Sequence, residues 1–166
     1  AGVYDVVVAN GVEVMTRTPM GSSVVPGMGF PFGPRVQQRY APVGGLVNQG
    51  IGAEMIAEQW GISRDDVDAF AAESHRRAAQ AIAEGRFDRE IVKVKVKDEE
   101  GNDTDEWFTT DEGVRPGTTV ETLGNLKPAF KEGGLITAGN SSQITDGASA
   151  VLIMSEEKAK QLGYTP

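Results

Sequence analysis

Two short apolar runs near opposite ends of the chain constrain its fold most. Val6-Val7-Val8-Ala9 and Ala150-Val151-Leu152-Ile153-Met154 are unbroken rather than alternating, which predicts strands covered on both faces. Such strands need neighbours on each side. If they are taken from a larger sheet, their open edges favour pairing with further segments or with another copy. The first run is expected to end at Asn10-Gly11, where a positive φ is readily accommodated, with Gly11 to Met15 leaving the sheet. A hairpin at Asn10-Gly11 is the alternative, kept open by the brief alternation that follows.

Between the runs the pattern changes repeatedly. From Thr16 to Pro42 the chain is punctuated by Pro19, Pro26, Pro31, Pro34 and Pro42 with no sustained period, which predicts a long excursion with little regular structure. Long loops in compact proteins are usually functional or else linkers. Met20, Met28, Phe30 and Phe32 favour an ordered loop, because exposed together they would form an apolar patch. Ile51, Met55, Ile56 and Trp60 predict a helix from Leu46 to Trp60 that buries this side and stops at Gly61. Ser63 then caps a second helix with Asp65 and Asp66 in its first turn. Its inward stripe is expected to be Val67, Phe70, Ala71, Ser74, Ala78 and Ile82, and Gly85 ends it.

Val92, Val94 and Val96 alternate with Lys93, Lys95 and Lys97, predicting a strand with valines inward and lysines in water. Asp98 to Asp105 reads as a solvated turn into a second strand near Trp107-Phe108-Thr109, since its carboxylates lack calcium-loop spacing. Arg115 lies in a loop before Pro116-Gly117, placed either to clamp a phosphate or carboxylate or to pair with Asp111 or Glu112; position alone favours the local pair. Thr119 to Leu126 fits a short helix, weakened by Gly124. The stretch from Thr137 to Ala148 is dense in small and hydroxyl residues. Gly139 and Gly147 permit unusual backbone conformations and close approach, and Asn140, Ser141, Ser142 and Thr145 offer donors and acceptors, so the stretch reads either as a ligand-holding segment or as a polar turn feeding a strand. Ser155 caps a last helix, Glu156 to Leu162, ended by Gly163.

Several function classes are disfavoured. The 166 residues suffice for one ordinary domain, although 21 Gly and 8 Pro imply long irregular connections. A net charge of −8 argues against a surface dominated by nucleic-acid phosphates. No cysteine is present, so this chain has no disulfide, thiolate metal site or cysteine nucleophile. The apolar runs are too short to span a membrane and nothing reads as a leader, so a cytoplasmic location is expected and the N-x-S/T matches at Asn102 and Asn140 carry no glycan. Gly50-Ile51-Gly52 lacks the third glycine and preceding strand of a dinucleotide fingerprint. His75, the only histidine, has no companion ligand or cysteine and is expected to be structural or solvent-facing.

The ordered segments Val6 to Thr16, Asn48-Gln49-Gly50-Ile51-Gly52-Ala53-Glu54, Lys127-Pro128-Ala129-Phe130, Thr137-Ala138-Gly139-Asn140-Ser141-Ser142 and Asp146-Gly147-Ala148 together resemble a thiolase, the family that makes or cleaves 3-ketoacyl-CoA. Asn10 departs from the glycine usual there. The resemblance implies an α/β fold: residues 1–15 and 144–166 belong to the layered sheet domain of the N-terminal half, and residues 16–143 form an inserted α+β loop domain that binds CoA. It also implies an internal segment of a longer acyl-CoA acyltransferase that works through an acyl-cysteine. The nucleophilic cysteine is expected before Ala1, and the activating histidine and second cysteine after Pro166. His75 does not match that histidine, so this chain supplies no catalytic residue and alone is expected to be inactive.

What the resemblance carries onto this chain is a CoA surface. Arg115 resembles the arginine near the nucleotide end of CoA, Thr122 stands where serine is common, and Leu126 and Phe130 resemble apolar wall residues. Ala138 and Ser142 match positions along the pantetheine channel. Asn48 and Gln49 stand where some members have His-Met. These residue types suit the ligand: a guanidinium for phosphate, apolar walls for adenine and pantetheine, and short polar groups for its amides. The implied partners are CoA and acyl-CoA as substrates, with no permanently bound cofactor or metal, together with the remaining thiolase segments and a homo-oligomer. A free-standing CoA-binding or assembly module without catalysis is the rival reading.

Overall fold

The computed structural model describes residues 2–24, 27 and 30–165, so Pro26 and Met28 of the expected excursion lie outside the described residues. The chain divides into two compact units, residues 1–36 with 144–166, and residues 37–143.

In the first unit, β1 (Val6–Glu13) pairs antiparallel with β4 (Gly147–Met154), in a register running from Val6 opposite Met154 to Glu13 opposite Gly147. Ser155 N–H donates to Asp5 O at one end of this ribbon, and Met15 N–H donates to Asp146 Oδ1 at 2.8 Å at the other. The expected stop at Asn10-Gly11 does not occur. Both residues are extended, opposite Ala150 and Ser149, because a full cross-strand partner offers ladder hydrogen bonds that a local turn would forfeit. Nor are the strands buried on both faces: Val8 and Leu152 are each 56% exposed. Among the described residues the sheet has two strands, and such a ribbon leaves much of both faces uncovered.

The excursion is built from turns, including Thr18 N–H to Val14 O and Val24 N–H to Gly21 O. Met20, Phe30 and Phe32 are exposed, with the two rings meeting edge to face at 5.4 Å. It also contains an unanticipated helix, α1 (Pro34–Tyr40), continued by a 3-10 turn over 41–43. Pro34 is its first residue, where a missing N–H and a fixed φ suit a helix start. After Ser155, α5 (Glu156–Leu162) runs to Gly163, whose φ is +74°, as the capping residues predict.

The second unit holds α2 (Gln49–Trp60), α3 (Arg64–Ala83), the hairpin of β2 (Val94–Lys97) with β3 (Asp103–Phe108), α4 (Val120–Gly124) and a long closing segment. Asn48 caps α2 by accepting from Ile51 N–H at 2.9 Å, and Gly61 ends it with φ +63°. Ser63 and Asp66 form a reciprocal capping box on α3. The Ser63 hydroxyl and N–H hold the Asp66 carboxyl below its ordinary value.

The stop of α2 at Gly61 and the Ser63 cap of α3 match the sequence, whereas α2 starts at Gln49 rather than Leu46, α4 is shorter than expected, and the buried faces match only in part. On α2 the buried residues are Gly50, Glu54 and Ala57, while Met55, Ile56 and Trp60 are exposed. On α3 Val67, Ala71 and Ala78 are half-buried as expected, but Phe70 is 80% exposed, Ser74 and Ile82 are exposed and Asp68 is buried, so the inward stripe runs through Val67, Asp68, Ala71, Ala72, His75, Ala78 and Ala79. The physical reason is the centre of this unit, where Ala57, Leu123 and Ile136 share the interior with Glu54, Asp68 and Thr137. Its polar groups are satisfied by specific partners that the apolar period cannot reveal.

The hairpin tip is solvated as expected, closed by Asp98 N–H to Asn102 O and by Gly101 at φ +88°. Its faces follow the alternation only in part: Val96 is half-buried and Lys93 and Lys97 are exposed as expected, but Val92 and Val94 are exposed too. Lys95 is half-buried, donating to Thr104 O and lying 4.9 Å over the Trp107 ring. A two-stranded hairpin lacks a core to bury valines against, so the long lysine stem covers the tryptophan instead.

Candidate functional site

All the residues expected to face CoA lie in the unit 37–143. Its closing segment is held by two carboxylates. Glu54, 2% exposed, accepts from Leu135 N–H at 2.9 and 3.0 Å and from Ile136 N–H at 2.8 Å. Asp68, 1% exposed, accepts from Arg64 Nε at 2.7 Å through one oxygen and from Asn140 Nδ2 at 2.8 Å through the other. Neither carboxylate stood out in the sequence as a site residue, because charged residues ordinarily read as solvated helix surface. The only signals were the presence of Glu54 in a motif and the i,i+4 spacing of Arg64 and Asp68.

Asn140 ties the closing segment to itself as well. Its Oδ1 accepts from Thr137 N–H at 2.8 Å and its Nδ2 donates to Leu135 O at 3.1 Å. Ser141 Oγ donates to Thr137 O at 2.6 Å, and the buried Thr137 hydroxyl accepts from Gly139 N–H at 3.2 Å. Asn140 and Ser141 therefore spend their polar groups on the turn. Ala138 and Ser142 are exposed. Gly139 and Gly147 do not adopt a positive φ, which corrects the expectation of unusual backbone there. Gly139 matters for close approach instead: a Cβ on it would sit 2.5 Å from Leu123 Cδ2 and from Leu126 Cδ1. Gly147 is the first residue of β4, so the strand begins earlier than its apolar run.

Leu126 and the Ala138-Gly139 turn are thus neighbours. Thr122 sits in the first turn of α4, where its hydroxyl accepts from Thr119 N–H at 3.0 Å and donates to Thr119 O at 2.9 Å. That capping exchange already engages the hydroxyl. Glu121 beside it is held below its ordinary value by its own backbone N–H and by the Thr119 hydroxyl. Phe130 lies over the start of α2, and a Cβ on Gly50 would fall 2.1 Å from its ring. The bare glycine backbone makes room for the ring.

Arg115 opens a turn closed by Thr118 N–H to Arg115 O at 3.1 Å. Its guanidinium is exposed and forms no ion pair among the described residues, contrary to the local pair favoured from position. Asp111 accepts from Gly113 N–H instead, at 2.8 Å, and Gln143 Nε2 donates to Gly113 O at 2.6 Å. The Arg115 backbone N–H donates to His75 Nδ1 at 3.2 Å, which gives the single histidine a structural partner. The described concavities lined by Leu152, Ile153, Met154, Glu156, Ala159, Tyr164 and Thr165, and by Gly11, Val12, Glu13, Thr145, Gly147, Ala148 and Ser149, include none of the expected CoA residues. No cluster of three or more His, Asp or Glu placed to hold a metal occurs among the described residues, and none of their helices is long and apolar enough to cross a membrane.

The family model described as "Thiolase, N-terminal domain" matches residues 1–157. The chain is 43% identical over 171 aligned positions to a 3-ketoacyl-CoA thiolase of Bacillus subtilis, covering 99% of this chain and 42% of that protein. It is 46% identical over 164 positions to the peroxisomal 3-ketoacyl-CoA thiolase B of Rattus norvegicus, covering 98% and 37% respectively. Among solved structures, the dimeric peroxisomal thiolase of Saccharomyces cerevisiae superposes with a TM-score of 0.76 at 36% identity, covering 99% of this chain and 39% of that one. Acetyl-CoA acetyltransferase from Syntrophomonas wolfei gives a TM-score of 0.72, with 99% of this chain and 42% of that one covered. The chain therefore spans about two fifths of the length of these relatives, and it has the mixed helix and sheet architecture of a thiolase-like α/β fold. It belongs to the thiolase family, through that family's N-terminal domain.

Proposed function

We propose that this chain is the CoA-facing segment of an acyl-CoA acyltransferase that forms or cleaves 3-ketoacyl-CoA through an acyl-cysteine. The observation that carries the reading is the thiolase N-terminal family match over residues 1–157. In this reading residues 16–143 are the CoA-binding loop domain, of which the unit 37–143 is the larger part, and the β1–β4 ribbon with α5 belongs to the sheet domain. The exposed Arg115 guanidinium meets a phosphate of the nucleotide, Leu126 and Phe130 supply apolar walls, and Thr122 lies beside them. Ala138 and Ser142 line the path of pantetheine, whose amides suit short polar groups. CoA and acyl-CoA are substrates.

Claisen chemistry on a thioester needs a nucleophile that accepts and releases an acyl group, a role suited to a thiolate beside a base. This chain contains no cysteine. Its part is to bind and orient the thioester for a nucleophile supplied by other thiolase segments, and it contributes no catalytic residue. Assembly as a homo-oligomer is supported by the dimeric yeast neighbour and by the apolar ribbon, both faces of which are available for further structure.

The test is a thiolysis assay and a CoA titration on the protein that contains this chain. Thiolysis of a 3-ketoacyl-CoA is expected. Arg115→Ala should weaken CoA about tenfold while leaving pantetheine affinity within about twofold, the size expected for one charge-assisted phosphate contact. Absence of thiolysis, or equal CoA binding by the variant, would contradict the reading and the role of Arg115 respectively.

A further inference from the structure

Helix α3 grips the segments proposed to face CoA at separate points along its length. Near its start, Arg64 Nη2 donates to Leu123 O at 2.5 Å, a carbonyl that also accepts from Leu126 N–H, and to Leu126 O at 3.2 Å, just beyond the end of α4. One turn later, Asp68 joins Arg64 to Asn140. Further on, His75 accepts from the Arg115 N–H. The 115–126 segment and the 137–142 turn are thereby referred to one rigid helix, and they also touch directly where Leu123 and Leu126 lie against Gly139.

Packing of those leucines would suffice to bury apolar surface. A buried carboxylate shared between a guanidinium and an amide adds little net stability, since desolvation offsets much of the attraction, but its fixed directions select one geometry. We propose that Arg64, Asp68 and Asn140 are positioning residues that set the spacing between the segment bearing Arg115 and Leu126 and the turn bearing Ala138 and Ser142. They thereby allow the nucleotide and pantetheine halves of one CoA to bind at once. The inference rests on the CoA reading above. A long, flexible ligand held at both ends gains affinity from the second contact only when the two subsites are correctly spaced, so the tie acts on intact CoA more than on either half.

The experiment compares Asn140→Ala with the unaltered protein that contains this chain, titrating CoA, pantetheine and adenosine 3′,5′-bisphosphate separately. Thermal unfolding confirms that each variant is folded. Intact CoA is expected to bind about tenfold more weakly, while each half stays within about twofold. Asn102→Ala, at the remote hairpin tip, should bind all three probes as before. Equal CoA affinity in folded Asn140→Ala overturns the inference, as does a loss shared in proportion by both halves, which marks general loosening. If Asn140→Ala does not fold, Asp68→Asn, which keeps the side-chain shape, is measured against the same outcomes. Failure of the unaltered protein to bind CoA overturns the CoA reading and the inference with it, whereas normal binding with an unaffected variant overturns the inference alone.

Discussion

At the scale of single residues, the unit 37–143 is governed by charges that have left the solvent. Glu54 illustrates this, because its two oxygens take the N–H groups of Leu135 and Ile136 with almost no exposure. An amide of the same shape offers one acceptor, and its NH2 would face a backbone donor. Glu54→Gln is therefore expected to destabilise the protein by about 1–3 kcal/mol, read as a lowered urea midpoint at unchanged slope. An unchanged midpoint would show that the carboxylate is dispensable. The sequence displayed Glu54 within a motif yet gave no sign of its burial, since the groups that satisfy it lie about eighty residues away in the chain. Arg115 was legible as a loop guanidinium but not as lacking an ion pair among the described residues, because Asp111 turns to the Gly113 N–H.

At the scale of elements, what is encoded locally was readable and what depends on partners was not. On α3, Arg76 and Arg77 both bond Glu73 and hold its carboxyl at about 2, below its ordinary value of 4.5. A depressed carboxylate contributes to the helix above its ordinary value and loses that contribution as pH falls through its folded value. Helicity by circular dichroism should therefore decline from about pH 4.5 towards 2, and Glu73→Gln should remove that part of the decline. An identical profile in the variant would contradict the assignment. The caps of α3 and α5 were visible because Ser63, Asp66, Ser155 and Gly163 act within a turn of themselves. The faces of α2 and α3 were not, because Phe70 and Trp60 fit an apolar period while the partners that turn Glu54 and Asp68 inward lie in the 135–140 turn. Similarly, Asn10-Gly11 favours a turn in isolation, and only its partners across β4 hold it extended.

At the scale of the molecule, the sequence carried the family through ordered motifs spread over most of its length, and the α/β architecture followed from it. It did not carry the exposure of the β1–β4 ribbon, because a buried-strand pattern records the surroundings for which the strand was selected and not those within this chain. The central claim is that CoA lies against the unit 37–143 and not in the concavities beside β1, β4 and α5. A photoreactive CoA carrying a benzophenone, irradiated with the protein and mapped by peptide mass spectrometry, tests this directly. Labels competed away by CoA and falling within residues 115–142 are the predicted result; competed labels confined to residues 6–13 and 147–165 would contradict the account.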